Sequence, residues 1–251
     1  MSEPKGSTST DCLSEVDIVV LAGGLGTRLK GVLDDRPKVM APLDDRPYLD
    51  FLISWLRRFG ARRVVLGLGH MAEVVQDYLA ETDYSGIEIV AVAEPSPLGT
   101  AGAIRYLRRH FQTSPVLVMN GDSFIDVDLC RLVEKHKVSG AAATMLCASV
   151  ADGAAFGRVR IDAKNCVQGF EEKAVGRDGR AVINAGIYLF EEDMLNWIDE
   201  LDGPSLELDV FEKLPAGVLH AMQCDGDFID IGTPERLASA AAFFSRFRNT
   251  D

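Results

Sequence analysis

Basic residues are the first shortage. Lys and Arg number 26 against 38 Asp and Glu in 251 residues, a formal charge of −12 at pH 7. Nucleic-acid partners usually meet a basic face, so this deficit argues against binding DNA or RNA. Cysteine is sparse as well. Cys12, Cys130, Cys147, Cys166 and Cys224 stand singly with no C-x-x-C pair, which excludes the usual metal-ligand spacings and suits a reducing compartment. No apolar run is long enough to span a bilayer, and no secretory apolar core lies near the start. The chain therefore reads as cytoplasmic, with no membrane partner. A G-x-x-x-x-G-K-[ST] phosphate loop, a G-x-S-x-G nucleophile elbow and a recognisable Ser/His/Asp triad are also missing.

What is present is ordinary globular material. With 47% hydrophobic and 25% charged residues, there is enough apolar surface for a large core. The length suits one α/β domain with a smaller lobe. Residues 1–15 are polar, Ser/Thr-rich and without period, and read as a flexible tail. From Val16 a strand, helix, strand rhythm sets in. Val16–Leu21 is a β-branched apolar run, while Leu49, Leu52, Ile53 and Leu56 mark one helix face. Such alternation predicts a Rossmann-like, doubly wound sheet, mixed but mostly parallel. Three parts follow within a single domain over 16–251: residues 16–140, a more strand-rich half at 141–232, and a C-terminal helix at 233–248. That helix is announced by Thr233 as cap and Pro234 at its first position. Apolar helix faces read alike against a core or a partner, so homo-oligomerisation stays open.

In doubly wound sheets ligands gather at the carboxyl ends of the strands, and the unusual loops lie there. Leu21-Ala22-Gly23-Gly24-Leu25-Gly26-Thr27-Arg28 follows the first strand. Its glycines let backbone N–H groups approach a phosphate, and Arg28 adds a charged donor. Arg36-Pro37-Lys38-Val39-Met40-Ala41-Pro42 stiffens a lysine between prolines, a candidate to neutralise a transferring phosphoryl group. Glu94-Pro95-Ser96-Pro97-Leu98-Gly99-Thr100 opens a helix, with Thr100 as its expected cap and free amides for a base or phosphate. Asn120-Gly121-Asp122-Ser123 ends a core strand, and Asp230 lies amid apolar residues far along the chain. Carboxylates so placed suit Mg²⁺, so Asp122 and Asp230 are the candidate metal pair. Taken alone, Glu171-Glu172-Lys173 reads as a solvated charge run, and His70 as a structural residue at a strand end.

In order, AGGLGTRL, RPKVMAPL, EPSPLGTAGAI, NGDSF, FEEK, INAGIY and FIDIGTPE resemble the sugar-1-phosphate nucleotidyltransferase family, from about Val16 to Phe247. Within it the compact length and the RLKGVLDDRPKVMAPL wording resemble the branch that transfers guanylyl groups to manno-configured heptose phosphates. The resemblance implies the nucleotide-diphospho-sugar transferase fold, similar to that of many glycosyltransferases. It implies that residues 16–140 bind nucleotide and 141–232 bind sugar, with an NTP and a sugar 1-phosphate as substrates and Mg²⁺ as cofactor. Leu21, Ala22, Gly23, Gly24, Gly26 and Thr27 would cradle the triphosphate, with Arg28 at its far end and Lys38 near the α-phosphate. Glu94, Leu98, Gly99 and Thr100 would face base and ribose, the carboxylate suiting the guanine N1–H and N2–H edge. Gly121, Glu172, Lys173, Asn184, Gly186 and Glu207 would hold the sugar phosphate. The chain departs from the family at His70, where an aromatic is common, and at Ala185, in place of a second glycine.

Two rival classes remain on the residues alone. A non-catalytic nucleotide-sugar sensor has no need of Lys38, Asp122 and Asp230. A glycosyltransferase generally wants a D-x-D metal motif, and Asp126-Val127-Asp128 has that spelling but reads as a helix start.

Overall fold

The computed structural model describes residues 11–151, 153, 156–171 and 179–246. The central strand is β1 (Asp17–Ala22). After it come the short hairpin strands β2 (Pro42–Leu43) and β3 (Arg46–Pro47), then α1 (Tyr48–Arg57). The chain continues through β4 (Arg63–Leu68), α2 (Ala72–Glu81), β5 (Glu88–Ala93), α3 (Gly99–Leu107) and β6 (Val116–Asn120). Strands β5, β4, β1 and β6 lie side by side, all parallel. Their crossovers are the helices that the 3.6-residue apolar spacing announces.

The second half holds β7 (Ser123–Ile125), α4 (Leu129–Ser139), β8 (Ala143–Val150), β9 (Arg158–Ile161), β10 (Val167–Glu171), β11 (Ala181–Phe190) and α5 (Glu192–Glu200). It closes with β12 (Leu219–Cys224), β13 (Phe228–Asp230) and α6 (Pro234–Phe244). Its strands extend the same sheet. β11 runs antiparallel beside β6 and against β8, β12 lies parallel to β8, and β9 and β10 continue along β11. The sheet is therefore mixed, with its parallel part in the first half.

Side chains alternate across β1 because successive Cβ atoms point to opposite faces. Ile18 and Val20 enter one core with α1, α4 and α6, while Val19 enters the other with α3 and α5. A knot of aromatic rings on the first face braces two loops of the site. Phe51 lies 4.3 Å from Phe244 of α6 and 5.1 Å from Phe124 of β7, measured between ring centroids. Tyr48 Oη donates to the Ser123 carbonyl at 2.9 Å.

Three expectations change. The tail expected at 1–15 does not extend over Asp11–Glu15, because Leu13 is fully buried and its N–H donates to the Phe59 carbonyl at 2.9 Å. The five cysteines are not all single thiols, since Cys12 and Cys130 form a disulfide across 118 residues of sequence. Sequence spacing held no hint of that pairing, which the folding of the Asp11–Glu15 turn onto α4 creates. Thr100 does not cap α3. The residue preceding that helix is Leu98, and the Thr100 hydroxyl instead accepts from the Leu206 N–H at 2.8 Å. Asp128 does start a helix, accepting from the N–H groups of Cys130 and Arg131. Among the described residues no helix is long and apolar enough to cross a membrane.

Candidate active site

Two loops meet at the carboxyl end of the parallel strands because β1 and β6 are in register, Leu21 opposite Asn120. The Gly121 N–H donates to the Leu21 carbonyl at 2.9 Å. Between them opens a cleft of about 250 Å³. Leu21, Ala22, Gly23 and Gly24 form its floor; Glu94, Gly99 and Thr100 one wall; Lys38, Gly121 and Asp122 the other. Gly121, expected beside the sugar, thus lies in this first cleft. A Cβ at Gly23 would displace the Glu94 carboxylate, whereas one at Gly69 would run into the Gly23 backbone itself, so close approach requires a glycine at Gly69.

Lys38 starts a single 3₁₀ turn whose next residues, Val39 and Met40, are buried. That anchoring leaves its side chain only 14% exposed and its Nζ 2.7 Å from Asp122 Oδ2. Gly26 has a left-handed backbone (φ 61°) and lies over the Lys38 stem. It precedes the 3₁₀ turn of Thr27, Arg28 and Leu29, in which Leu29 is buried. Gly26, Thr27 and Arg28 stand outside the lining of the first cleft. Arg28 instead reaches toward Gly232, beside Asp230. Glu94 is half-buried, and its carboxylate accepts from the Leu98 N–H at 3.3 Å. Burial pushes its pKa above the ordinary glutamate value, and that hydrogen bond partly offsets the shift.

The two aspartates distant in sequence become neighbours through a two-stranded ladder. β7 pairs antiparallel with β13, setting Asp230 opposite Ser123, and the Ile231 N–H donates to the Asp122 carbonyl at 2.9 Å. Asp230 Oδ1 accepts from the Gly232 N–H at 2.7 Å. Its Oδ2 carries an ion pair with Arg236, whose guanidinium lies 4.5 Å from the Phe156 ring centroid. Sequence reasoning missed Arg236, which sits in the first turn of a capped helix with nothing local to say that it turns back. Among the described residues no group of three or more His, Cys, Asp or Glu could hold an ion by itself.

A second cleft of about 510 Å³ opens between β11, β10 and the turn that follows α5. Asn184 Nδ2 donates to Glu207 Oε1 at 2.6 Å and to Tyr188 Oη at 2.7 Å, while its Oδ1 accepts from the Gly186 N–H at 2.9 Å. The pairing of β11 with β8 breaks between Asn184 and Tyr188, which frees Gly186 (φ 73°) to lie against Asn120. Glu207 is held on a short π-helical turn, Leu206–Val210. Phe156, Phe170, Glu171 and Glu212 also line this cleft. None of those four was foreseen as a site residue: Phe170 and Glu171 open the FEEK segment, where only Glu172 and Lys173 were singled out, and Phe156 and Glu212 carry no motif. Glu172 and Lys173 lie outside the described residues. His70 is exposed and lines neither cleft.

A glycine loop, a half-buried lysine and neighbouring aspartates at the switch point of a doubly wound sheet are the apparatus of phosphate-group transfer. The chain belongs to the nucleotidyl transferase family, which matches residues 17–246. It is 36% identical to a D-glycero-alpha-D-manno-heptose 1-phosphate guanylyltransferase of Campylobacter jejuni, over 86% of this chain and 95% of that one. It is 33% identical to a mannose-1-phosphate guanylyltransferase of Mycobacterium tuberculosis, over 91% of this chain and 64% of the other. The crystal structure of HddC from Yersinia pseudotuberculosis complexed with GMP-PN superposes with a TM-score of 0.81 at 32% identity. That match covers 91% of this chain and 99% of the other.

Proposed function

We propose that this chain joins GTP to a sugar 1-phosphate of the manno-heptose or mannose type, releasing pyrophosphate and an NDP-sugar. The observation that carries this reading is the convergence of the glycine loop, Lys38, Glu94 and Asp122 on one cleft. The guanylyltransferase names of its relatives support the choice of base.

A sugar phosphate has a second pKa of about 6 and is largely dianionic at neutral pH. Its oxygen can therefore attack the α-phosphorus in line without a general base. One P–O bond forms as the bond to pyrophosphate breaks. The protein's part is positioning and charge neutralisation. Backbone N–H groups of Gly23, Gly24 and Gly26 would cradle phosphates, with Arg28 and Lys38 supplying positive charge and Lys173 binding the sugar phosphate. Glu94 would accept from the guanine N1–H and N2–H edge, with Leu98, Gly99 and Thr100 against the nucleoside. Asn184, Gly186 and Glu207 would hold sugar hydroxyls, with Phe156 and Phe170 as apolar walls.

Mg²⁺ fits the aspartate pair. The β7–β13 ladder sets the two aspartates on adjoining backbone with no closed cage of acids around them among the described residues, which suits an ion that takes its remaining ligands from phosphate oxygens and water. Held by Asp122 and Asp230, it would neutralise charge developing on the phosphates. We place the reaction in the cytoplasm, where nucleoside triphosphates are made, and assign it no nucleic-acid or membrane partner.

The test is pyrophosphate release from a panel of NTPs against several sugar 1-phosphates, with Mg²⁺ and with EDTA. Release with GTP, a manno-configured sugar phosphate and metal is expected. Preference for another NTP discards the role given to Glu94 and keeps the reaction. Nucleotide binding with no release from any pair overturns the enzyme.

A further inference from the structure

Arg236 is in the wrong place to serve its own helix. It is the third residue after the Thr233 cap of α6, where the positive end of the helix dipole favours an acid. Yet its guanidinium turns back onto Asp230 Oδ2 and is fixed by the face of Phe156, with only 27% of the Arg236 side chain and 20% of the Asp230 side chain exposed. The other member of the aspartate pair is matched in the same way, Asp122 by Lys38 at 2.7 Å. Each carboxylate thus has its own paired cation, and Arg28 reaches in beside Asp230 as well, so the cations at least balance the two aspartates. A bare divalent ion arriving there gains little, because each carboxylate already has a partner and the approaching charge is repelled by these cations. A triphosphate changes that balance by bringing several negative charges of its own.

We propose that Arg236 is a positioning residue that holds Asp230 neutralised, so that the aspartate pair takes up a divalent ion together with the nucleotide and not before it. This rests on the reading of Asp122 and Asp230 as the metal pair. Removing the guanidinium therefore strengthens metal binding by the nucleotide-free protein. A residue that merely built the site has the opposite effect when removed.

The experiment is Mn²⁺ binding followed by electron paramagnetic resonance, for wild type, Arg236→Ala, Arg236→Gln and Arg236→Lys. Each is measured alone and with the unreactive α,β-methylene analogue of GTP. The wild type is expected to bind Mn²⁺ weakly alone and much more tightly with the analogue. Arg236→Ala and Arg236→Gln gain about tenfold in affinity without nucleotide, on the scale of one partly buried charged pair, and Arg236→Lys stays near wild type. Unchanged or weaker nucleotide-free binding in both neutral variants overturns the proposal. If wild type binds no Mn²⁺ even with the analogue, the metal reading falls and this inference with it. If wild type binds normally and the variants match it, only the inference falls.

Discussion

Lys38 and Glu94 show how burial sets the task of a single side chain. Lys38 is anchored by buried neighbours and aimed at the cleft, so its charge is preorganised. Lys38→Ala is expected to lower kcat by roughly 10²–10³, the usual loss when one such donor is removed; steady-state pyrophosphate release measures it. A mutant with near wild-type turnover removes Lys38 from the mechanism. Glu94 carries the opposite tension, because burial raises its pKa and favours the protonated form in the fold. A raised acid pKa contributes stability below the unfolded value, and that contribution is lost as pH rises through the folded one. Once ionised, above that raised value, Glu94 therefore costs stability in the free protein. Glu94→Gln should melt higher than wild type at pH values above the raised pKa, the gain shrinking as pH falls from there toward 4.5, the ordinary glutamate value, and absent below it. The same change should lower kcat/KM for GTP more than for ATP, by about tenfold or more if the carboxylate reads the guanine edge. A thermal melt across pH and a two-nucleotide kinetic comparison test the two halves separately.

At the scale of elements, α3 stitches the two clefts together. Its first turn receives the segment leading to Glu207: the Ala101 N–H donates to the Pro204 carbonyl at 2.8 Å, and Thr100 accepts from Leu206. Further along, Arg105 donates to the carbonyls of Ile198 and Leu201 at 2.9 Å each, and also to that of Gly203. These are the ends of backbone that no strand or helix satisfies, so a charged fork is an efficient partner. Arg105→Ala is expected to cost about 2–3 kcal/mol in urea unfolding, as charged hydrogen bonds to partly buried carbonyls are lost. Because the segment it holds carries Glu207, KM for the sugar phosphate should rise more than KM for the nucleotide. Equal changes in both would make Arg105 a stability residue alone.

Over the whole molecule, the Cys12–Cys130 bond ties the turn before β1 to α4 on the first face of the sheet. A crosslink spanning 118 residues restricts the unfolded chain strongly, and its loss is expected to cost about 2–4 kcal/mol. Urea unfolding with and without dithiothreitol, beside Cys130→Ser under both conditions, measures that contribution. A Cys130→Ser midpoint equal to that of the oxidised wild type would mean the bond does not form in solution. In a reducing compartment such a pair would be open or transient, while Cys147, Cys166 and Cys224 remain thiols in the structure.

Local pattern was enough for much of this. The β-branched run of β1, the i, i+3, i+4 face of α1 and the Thr233-Pro234 helix start are short-range physics, written in neighbouring residues. The glycine loop and Lys38 were legible because phosphate chemistry needs particular residue types at close spacing. What lay beyond the sequence depends on long-range contact. Only the β7–β13 ladder brings Asp122 beside Asp230, and only the packing of α6 turns Arg236 toward them. The break in β11 sets Asn184 against Glu207, the Leu206 N–H takes the Thr100 hydroxyl from its expected cap, and a buried turn pairs Cys12 with Cys130. Periodicity and propensity specify which face of an element is apolar; which distant polar groups then meet is decided by how those faces pack, since an unpaired buried polar group is costly and takes whatever partner the tertiary structure supplies.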